Sequence, residues 1–396
     1  MQTREYQDKA VQAVLAHWAH GTKSVCLIGP TGCGKTHMGR MALEGAERVL
    51  WASHRRDLVL QTAERLTDVF GRRSVGVIAG GEYETPQAPV QVATIQSYLA
   101  RVDGRSWEPT HIVLDEAHHY MADEWRAVLA RHPEALTLGL TATPQRGDGR
   151  GLCDIFGAAV VAANYSELIA AGFLVGAKVW RPEKRLGSDL AQDPVVAYMA
   201  HGERGQAFVF CARIALAQAA CRRFVKAGIA ARVIDATTPK TKRDRILDDF
   251  RRGRVRVVVN VGTMTEGIDV PEASVCVLAR NFDYVGGMMQ VTGRVLRACR
   301  DKAYAIVIDL NGSTLRHGLP TMDRHYSLDG KPISGGEAVE REAGERGEFA
   351  QEIVDAELQM VSDGVEVAEQ KPQGVTRTRT RSKLPTAKEV AMSGIS

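Results

Sequence analysis

Val25-Cys-Leu-Ile-Gly29-Pro-Thr-Gly-Cys-Gly-Lys35-Thr36 places an apolar run directly before the spacing G-x-x-x-x-G-K-[ST], and a helix-forming stretch follows it. That context reads as strand, phosphate-cradling loop and helix start rather than as a plain glycine turn. Glycines let backbone N–H groups approach phosphate oxygens, so Gly29, Thr31, Gly32, Cys33 and Gly34 form the expected cradle. Lys35 is placed to reach the β and γ oxygens, and the Thr36 hydroxyl to coordinate magnesium at the helix N-terminus. ATP and Mg2+ are the ligands this loop predicts.

Outward from the loop, short β-branched runs at 25–29, 49–53, 75–79, 90–95, 111–115 and 136–141 alternate with helix-like segments. Such alternation predicts an α/β fold, a parallel sheet covered by helices. A second series at 207–211, 231–234, 255–261, 275–279 and 304–309, with helix-like stretches at 213–228, 241–252 and 285–298, predicts another sheet of similar design. The expected organisation is an ATP-binding domain over 1–160, a linker or hinge over 161–204, a second domain over 205–330 and a charged tail over 331–396. Gly172, Gly176, Pro182, Gly187 and Pro194 argue against a long uninterrupted element in the linker. An acidic helix is expected near 338–360. The final stretch, with Arg377, Arg379, Arg381 and Lys383 among small polar residues, has too little apolar content to fold alone and reads as flexible.

With 396 residues, 44% of them hydrophobic and 25% charged, the chain is long enough for two core-bearing domains. No apolar run approaches the roughly 18 residues that span a bilayer. The start, Met1-Gln-Thr-Arg-Glu-Tyr6, lacks a signal peptide's apolar segment, so the reading is a cytosolic protein away from membranes. Seven cysteines without a Cys-x-x-Cys pair indicate packed thiols rather than a zinc knuckle or disulfide framework. The net charge of +4 hides a segregation, because residues 337–370 carry −9 while 371–388 carry six basic residues and no acid. A mildly basic body suits a polyanion. The tail reads first as an inert solvated end, with nonspecific phosphate contact or a protein partner as the functional alternatives.

Asp115-Glu116-Ala-His118 follows the strand-like His111-Ile-Val-Leu, so both carboxylates leave at its C-terminal end, where open α/β sheets place ligands. Asp115 is expected to hold magnesium, directly or through water, and Glu116 to orient and deprotonate an attacking water. His118 reads as a polar coupling residue and His119 as packing or surface. Thr141-Ala-Thr143 lies at another strand end, where hydroxyls two apart share a face and can bridge neighbours. Far downstream, Gln290-Val-Thr-Gly-Arg294-Val-Leu-Arg297 would present an amide and two guanidiniums on one helical face. That is an arginine clamp for phosphate, completing the early site from the second domain.

Taken together, Tyr6-Gln7, GPTGCGKT at 29–36, Ser53-His-Arg-Arg, Ala93-Thr-Ile-Gln-Ser97, DEAH at 115–118, TATP at 141–144, Val209-Phe-Cys, Gly262-Thr-Met-Thr-Glu-Gly-Ile-Asp269-Val-Pro and QVTGRVLR at 290–297 resemble superfamily 2 helicases and translocases. The resemblance spans residues 2–328 in the family's order and spacing. Within the superfamily the chain is similar to the DEAH-containing DNA repair and type III restriction branch, to which the stretches from Leu140 to Gly149 and Arg316 to Pro320 also look alike.

The resemblance implies two tandem RecA-like P-loop domains that close on Mg-ATP and move along or remodel DNA. It implies that Gln7, beside Tyr6, reads the adenine edge. Gln290 would approach the γ-phosphate or the water, Arg294 and Arg297 would act as fingers, Asp269 would meet the ribose, and Gly267 would allow close backbone approach. Thr141, Thr143 and His118 would couple hydrolysis to movement. Strand contacts would come from Ser53, His54, Arg55, Thr94 and Gln96, and from Arg213 and Thr263 in the second domain. Such contacts to phosphates give register without sequence preference. An RNA helicase with the same engine, or an ATP-gated DNA-binding subunit that recruits a partner, stays open at this point. The sequence locates no aromatic wedge or strand-separating hairpin, so unwinding is not distinguished from translocation or annealing.

Overall fold

Val, Ile, Leu and Ala fill the strand runs, and the folded chain buries them on both faces, as parallel strands between helical layers require. The computed structural model describes residues 3–101, 107–118, 122–146, 149–264, 270–330 and 356–362. It divides into two units, Met1–Asn164 with Arg324–Ile333, and Tyr165–Asp323 with Ser334–Ser396.

The first unit runs α1 (Glu5–Ala19), β1 (Ser24–Ile28), α2 (Lys35–Ala42), β2 (Val49–Ser53), α3 (Arg56–Phe70), β3 (Val75–Ala79), β4 (Glu82–Glu84), β5 (Val90–Thr94), α4 (Ile95–Arg101), β6 (His111–Asp115), α5 (Ala122–Arg131), β7 (Leu136–Thr141) and β8 (Ala158–Val161). Its sheet has the order β4-β3-β5-β2-β6-β7-β1-β8, parallel except for β4 against β3. Every residue of β2 and β5 is buried. Three of these residues are polar, Ser53, Gln91 and Thr94, and Gln91 Nε2 donates to the carbonyls of Thr85 at 2.9 Å and Ala88 at 3.2 Å, anchoring the turn before β5.

The second unit runs α6 (Tyr165–Ala170), β9 (Gly176–Pro182), α7 (Pro194–His201), β10 (Ala207–Cys211), α8 (Ile214–Lys226), β11 (Ala231–Ile234), α9 (Lys240–Arg251), β12 (Val257–Asn260), β13 (Val275–Ala279), α10 (Val285–Thr292), β14 (Tyr304–Asp309), α11 (Ser313–His317) and β15 (Leu358–Ser362). The sheet order is β11-β12-β10-β13-β14-β9-β15, with only β15 antiparallel to its neighbour. Asp193 starts α7 by accepting from Val195 N at 2.9 Å, with Pro194 in the first turn where its missing N–H costs nothing.

Four readings of the sequence change on folding. Residues 161–204, expected as a linker, carry α6, β9 and α7, and β9 pairs with β14 inside the second sheet. The glycines and prolines there bound short elements instead of marking a free connection. Residues 324–330, expected in the second domain, belong to the first unit, where Leu328 O accepts from Leu152 N at 2.8 Å and Cys153 N at 3.0 Å. The proposed acidic helix does not extend through its last residues, because Leu358–Ser362 is a strand paired with β9. Pairing satisfies its backbone groups and buries Leu358, which helical propensity alone would not outweigh. The remainder of that acidic stretch and the basic tail lie outside the described residues. Finally, α10 stops at Thr292 rather than continuing to 298. Thr292 Oγ1 donates back to Met288 O at 2.8 Å, Gly293 follows as the cap, and Val295 N returns to Thr292 O in a tighter turn.

Among the described residues, no helix is long and apolar enough to cross a membrane. The 324–330 segment generates a stability prediction: a side chain at Gly151 would overlap the Leu328 carbonyl and the Gly330 nitrogen, which are backbone atoms and cannot rotate away. Gly151→Val should cost about 3 kcal/mol in urea denaturation and expose the segment to limited proteolysis. Unchanged stability and cleavage would show that the segment does not pack there.

Candidate functional site

Because β1, β2, β5, β6 and β7 are parallel, their C-terminal ends lie along one edge of the first sheet. On that edge the sequence sets the glycine loop after β1, Ser53 ending β2, Thr94 ending β5, Asp115-Glu116 after β6 and Thr141-Ala-Thr143 after β7. The register pairs Ser53 with Thr94 directly. A shared edge of this kind is where open α/β sheets bind ligands.

The loop is shaped by two left-handed glycines, Gly32 at φ 95° and Gly34 at φ 89°, the second being the N-cap of α2. No side chain caps that helix start, so its first N–H groups have no intrahelical partner and face outward with the positive end of the helix dipole. Cys33 is 1% exposed, and its sulfur fills the space beside Gly29 where a side chain at that glycine would sit. Burial pushes the Cys33 thiol up from its ordinary pKa, against a smaller lowering from Lys35. Lys35 folds back, donating from Nζ to Gly29 O at 2.9 Å and Pro30 O at 3.3 Å, so its charge is held over the mouth of the loop.

Tyr6 and Gln7, at the start of α1, fasten the loop from outside. Tyr6 Oη donates to Cys33 O at 2.6 Å and Gln7 Nε2 to the same oxygen at 3.0 Å, while Gln7 Oε1 accepts from Arg4 N at 3.2 Å. Gln7 is thus turned on to the loop and its own helix start, and is only 4% exposed. The family resemblance implied that Gln7 reads a base; in this structure its amide holds the glycine loop instead.

Asp115 ends β6 with its carboxylate oriented. Oδ2 accepts from Trp51 Nε1 at 3.3 Å and Oδ1 from Glu116 N at 3.1 Å. Trp51 was not legible as a site residue, since a tryptophan within an apolar strand reads as core. Glu116 adopts φ 53°, a left-handed conformation costing a non-glycine residue roughly 1 kcal/mol or more. It turns the chain so that Ala117 N meets Leu140 O at 2.9 Å on the neighbouring strand.

His118 then reaches β7. Its Nδ1 lies 2.8 Å from Thr141 Oγ1, which donates to Thr143 O at 2.6 Å and accepts from Thr143 N at 3.1 Å. A hydroxyl has one proton, and with Thr143 O taking it, His118 Nδ1 must carry the proton of its own contact. Glu116 Oε2 sits 3.7 Å from the same nitrogen. The residues read as coupling groups are therefore hydrogen-bonded to one another and sealed from water, His118 being 2% exposed. His119 lies outside the described residues.

The candidate strand-contact residues differ in accessibility. Ser53 and Thr94 are buried, His54 is half-buried, and Arg55 and Gln96 are exposed, with Gln96 Nε2 donating to Glu124 at 2.6 Å. In the second unit Arg213 is the exposed N-cap of α8, and Thr263 Oγ1 donates to Ile234 O at 3.4 Å. Gly267 and Asp269 lie outside the described residues. Gln290 sits inside α10, but Arg294 follows the helix end and Arg297 forms an isolated bridge with Leu174. The expected single helical face carrying all three groups is thus corrected: the early stop of α10 puts Arg297 on extended backbone. Gln290 and Arg294 are buried, and Arg297 is half-buried.

For magnesium, the donors available are hard oxygens, the Asp115 carboxylate and the Thr36 hydroxyl, which suit that ion. Asp115 accepts from Trp51 and Glu116, one bond on each oxygen, and a carboxylate has about four lone-pair sites, so the donor set is chemically suited to the ion.

The chain matches the family profile "Type III restriction enzyme, res subunit" over residues 1–146 and "Helicase conserved C-terminal domain" over 192–299. It is 25% identical to Irc3 of Schizosaccharomyces pombe, named as a mitochondrial ATP-dependent helicase, over 81% of this chain and 59% of Irc3. It is 22% identical to the DNA 3'-5' translocase XPB2 of Sulfurisphaera tokodaii over 79% of this chain and 82% of that protein. Among solved structures it resembles a fragment described as the HsdR subunit of a type I restriction enzyme from Vibrio vulnificus, with TM-score 0.63 and 22% identity over 83% of this chain and 67% of the fragment. The chain spans little more than half the length of Irc3. The structural likeness shows the fold, two RecA-like α/β units.

Two measurements check the site as built. Thr141→Val removes the acceptor for His118 and for Thr143 N and the donor to Thr143 O, and should cost about 2 kcal/mol in denaturant unfolding; full retention of stability would mean that the three residues do not form this network. A thiol reagent should modify exposed Cys153 at once and buried Cys33 only on unfolding, so rapid modification of folded Cys33 would contradict the packing beneath Gly29.

Proposed function

From the premise that the chain belongs to the superfamily 2 helicases, we propose that it is an ATP-dependent DNA helicase or translocase. The observation that carries this reading is the clustering, on one sheet edge, of a phosphate cradle, two adjacent carboxylates and a buried histidine–threonine relay. A binding module has no use for the relay. A motor does, because nucleotide state must be passed to another part of the protein.

In this reading the outward N–H groups at the start of α2 hold the β-phosphate, and Lys35 exchanges its contacts to Gly29 O and Pro30 O for phosphate oxygens. Bound magnesium, held by Asp115 and Thr36, would neutralise phosphate charge. Glu116 orients the attacking water and takes its proton. A change in the position of Glu116 alters its contact with His118, and the shared Thr141 hydroxyl passes that shift to Thr143 and the strand that follows. Gln290, Arg294 and Arg297 supply positive charge and orientation to the transferring phosphoryl group, so hydrolysis needs both units. Asp269 meets the ribose, and Gly267 lets the backbone of its turn approach closely. Strand phosphates engage Arg55, His54, Gln96 and Arg213 and, after small adjustments, the hydroxyls of Ser53, Thr94 and Thr263.

Arg297→Ala should leave ATP affinity within about twofold and lower nucleic-acid-stimulated turnover by about 100-fold or more. Wild-type turnover in that variant would remove the arginine argument. Stimulation of ATPase activity should be strongest with DNA when single-stranded, duplex, forked and RNA cofactors are compared, and should fall steeply with salt. Greater stimulation by RNA would favour the RNA helicase with the same engine. DNA binding that is ATP-dependent, but with no strand or triplex displacement, would favour a recruiting subunit.

A further inference from the structure

One ammonium in the second unit is spent entirely on backbone. Lys302 follows a turn in which Asp301 is left-handed at φ 66°, and its side chain runs inward. Nζ donates to the carbonyl oxygens of Pro271 at 2.9 Å, Ala273 at 2.8 Å and Arg297 at 2.6 Å. An ammonium carries three protons, and these three acceptors use all of them. Two come from the turn that leads into β13, where Ala273 N donates to Val270 O at 3.2 Å, and the third is the backbone of the arginine segment.

Burial lowers the Lys302 pKa to about 8, with Cys299 and Glu272 opposing the shift and Arg297 adding to it. Withdrawing a cation from water is unfavourable, and a methionine would fill the same space without that cost. What lysine adds is a tie between two segments distant in sequence. The tie falls where it is needed: α10 ends at Thr292, so no helix sets the position of Arg297. Besides the ammonium, the backbone there is held by Val175 N donating to Leu296 O at 2.8 Å and by the bridge between Leu174 and Arg297.

We propose that Lys302 is a positioning residue for Arg297, fixing the backbone from which that guanidinium reaches phosphate by tying it to the 271–273 turn. The proposal rests on the reading of Arg297 as a phosphate-stabilising arginine. A residue that only stabilised the fold would lower the amount of active protein, whereas a positioning residue lowers turnover per folded molecule.

The test compares the full chain with its Lys302→Met, Arg297→Ala and doubly substituted forms. Each is measured for ATP turnover at saturating single-stranded DNA, for affinity with a fluorescent ATP analogue, and for thermal midpoint. Lys302→Met should reduce kcat about tenfold while nucleotide affinity changes by less than about twofold, and the double variant should turn over within about twofold of Arg297→Ala. Unchanged kcat in Lys302→Met, or losses that multiply in the double variant, overturn the proposal. Wild-type turnover in Arg297→Ala would instead remove the reading beneath it. If Lys302→Met does not fold, Lys302→Gln, which keeps two donors without the charge, is held to the same two criteria with a smaller loss of kcat.

Discussion

The left-handed glycine that caps α2 is the constraint on which the rest of the first unit depends. Gly34 at φ 89° turns the chain from β1 into α2 within a few residues, leaving the first helical N–H groups without a side-chain cap. A side chain there would be strained and would meet the Gln7 amide at 2.5 Å. The same turn directs the Cys33 carbonyl outward, where Tyr6 and Gln7 take it, and the Cys33 sulfur inward beneath Gly29. One backbone conformation thus shapes the glycine loop, ties it to the first helix and packs it on the sheet.

The adjacent strands apply the same economy of backbone turns. Glu116 accepts a left-handed conformation so that β6 can hand the chain to the end of β7. The buried contacts that follow leave His118, Thr141 and Thr143 with a single consistent arrangement of protons. Low local polarity strengthens such bonds and makes a partly satisfied network costly. The network is therefore rigid, and Glu116 Oε2 lies 3.7 Å from its histidine.

Much of this was legible in the sequence. The strand runs at 49–53, 75–79, 111–115, 136–141, 207–211, 231–234, 275–279 and 304–309 fold with those bounds, because buried parallel strands need continuous apolar residues and turn residues end them sharply. The positions of the glycine loop after β1 and of Asp115-Glu116 at the end of β6 were legible for a similar reason, since they follow directly from the strand runs. Trp51 and Lys302 were not. A tryptophan in an apolar strand and a lysine after a turn look like core and surface, and only the fold reveals their hydrogen-bond partners.

The sequence by itself determined the class of fold and eleven of its strand runs, because these follow from local period and spacing, but not β4, β8, β9 or β15. Only the tertiary structure decided that 324–330 returns to the first unit, that Leu358–Ser362 becomes an edge strand, and that the Arg297 backbone is held by an ammonium. Each of those outcomes turns on a hydrogen bond between residues brought together by folding, or on a backbone group that had to be satisfied once buried. No local pattern encodes such a partner.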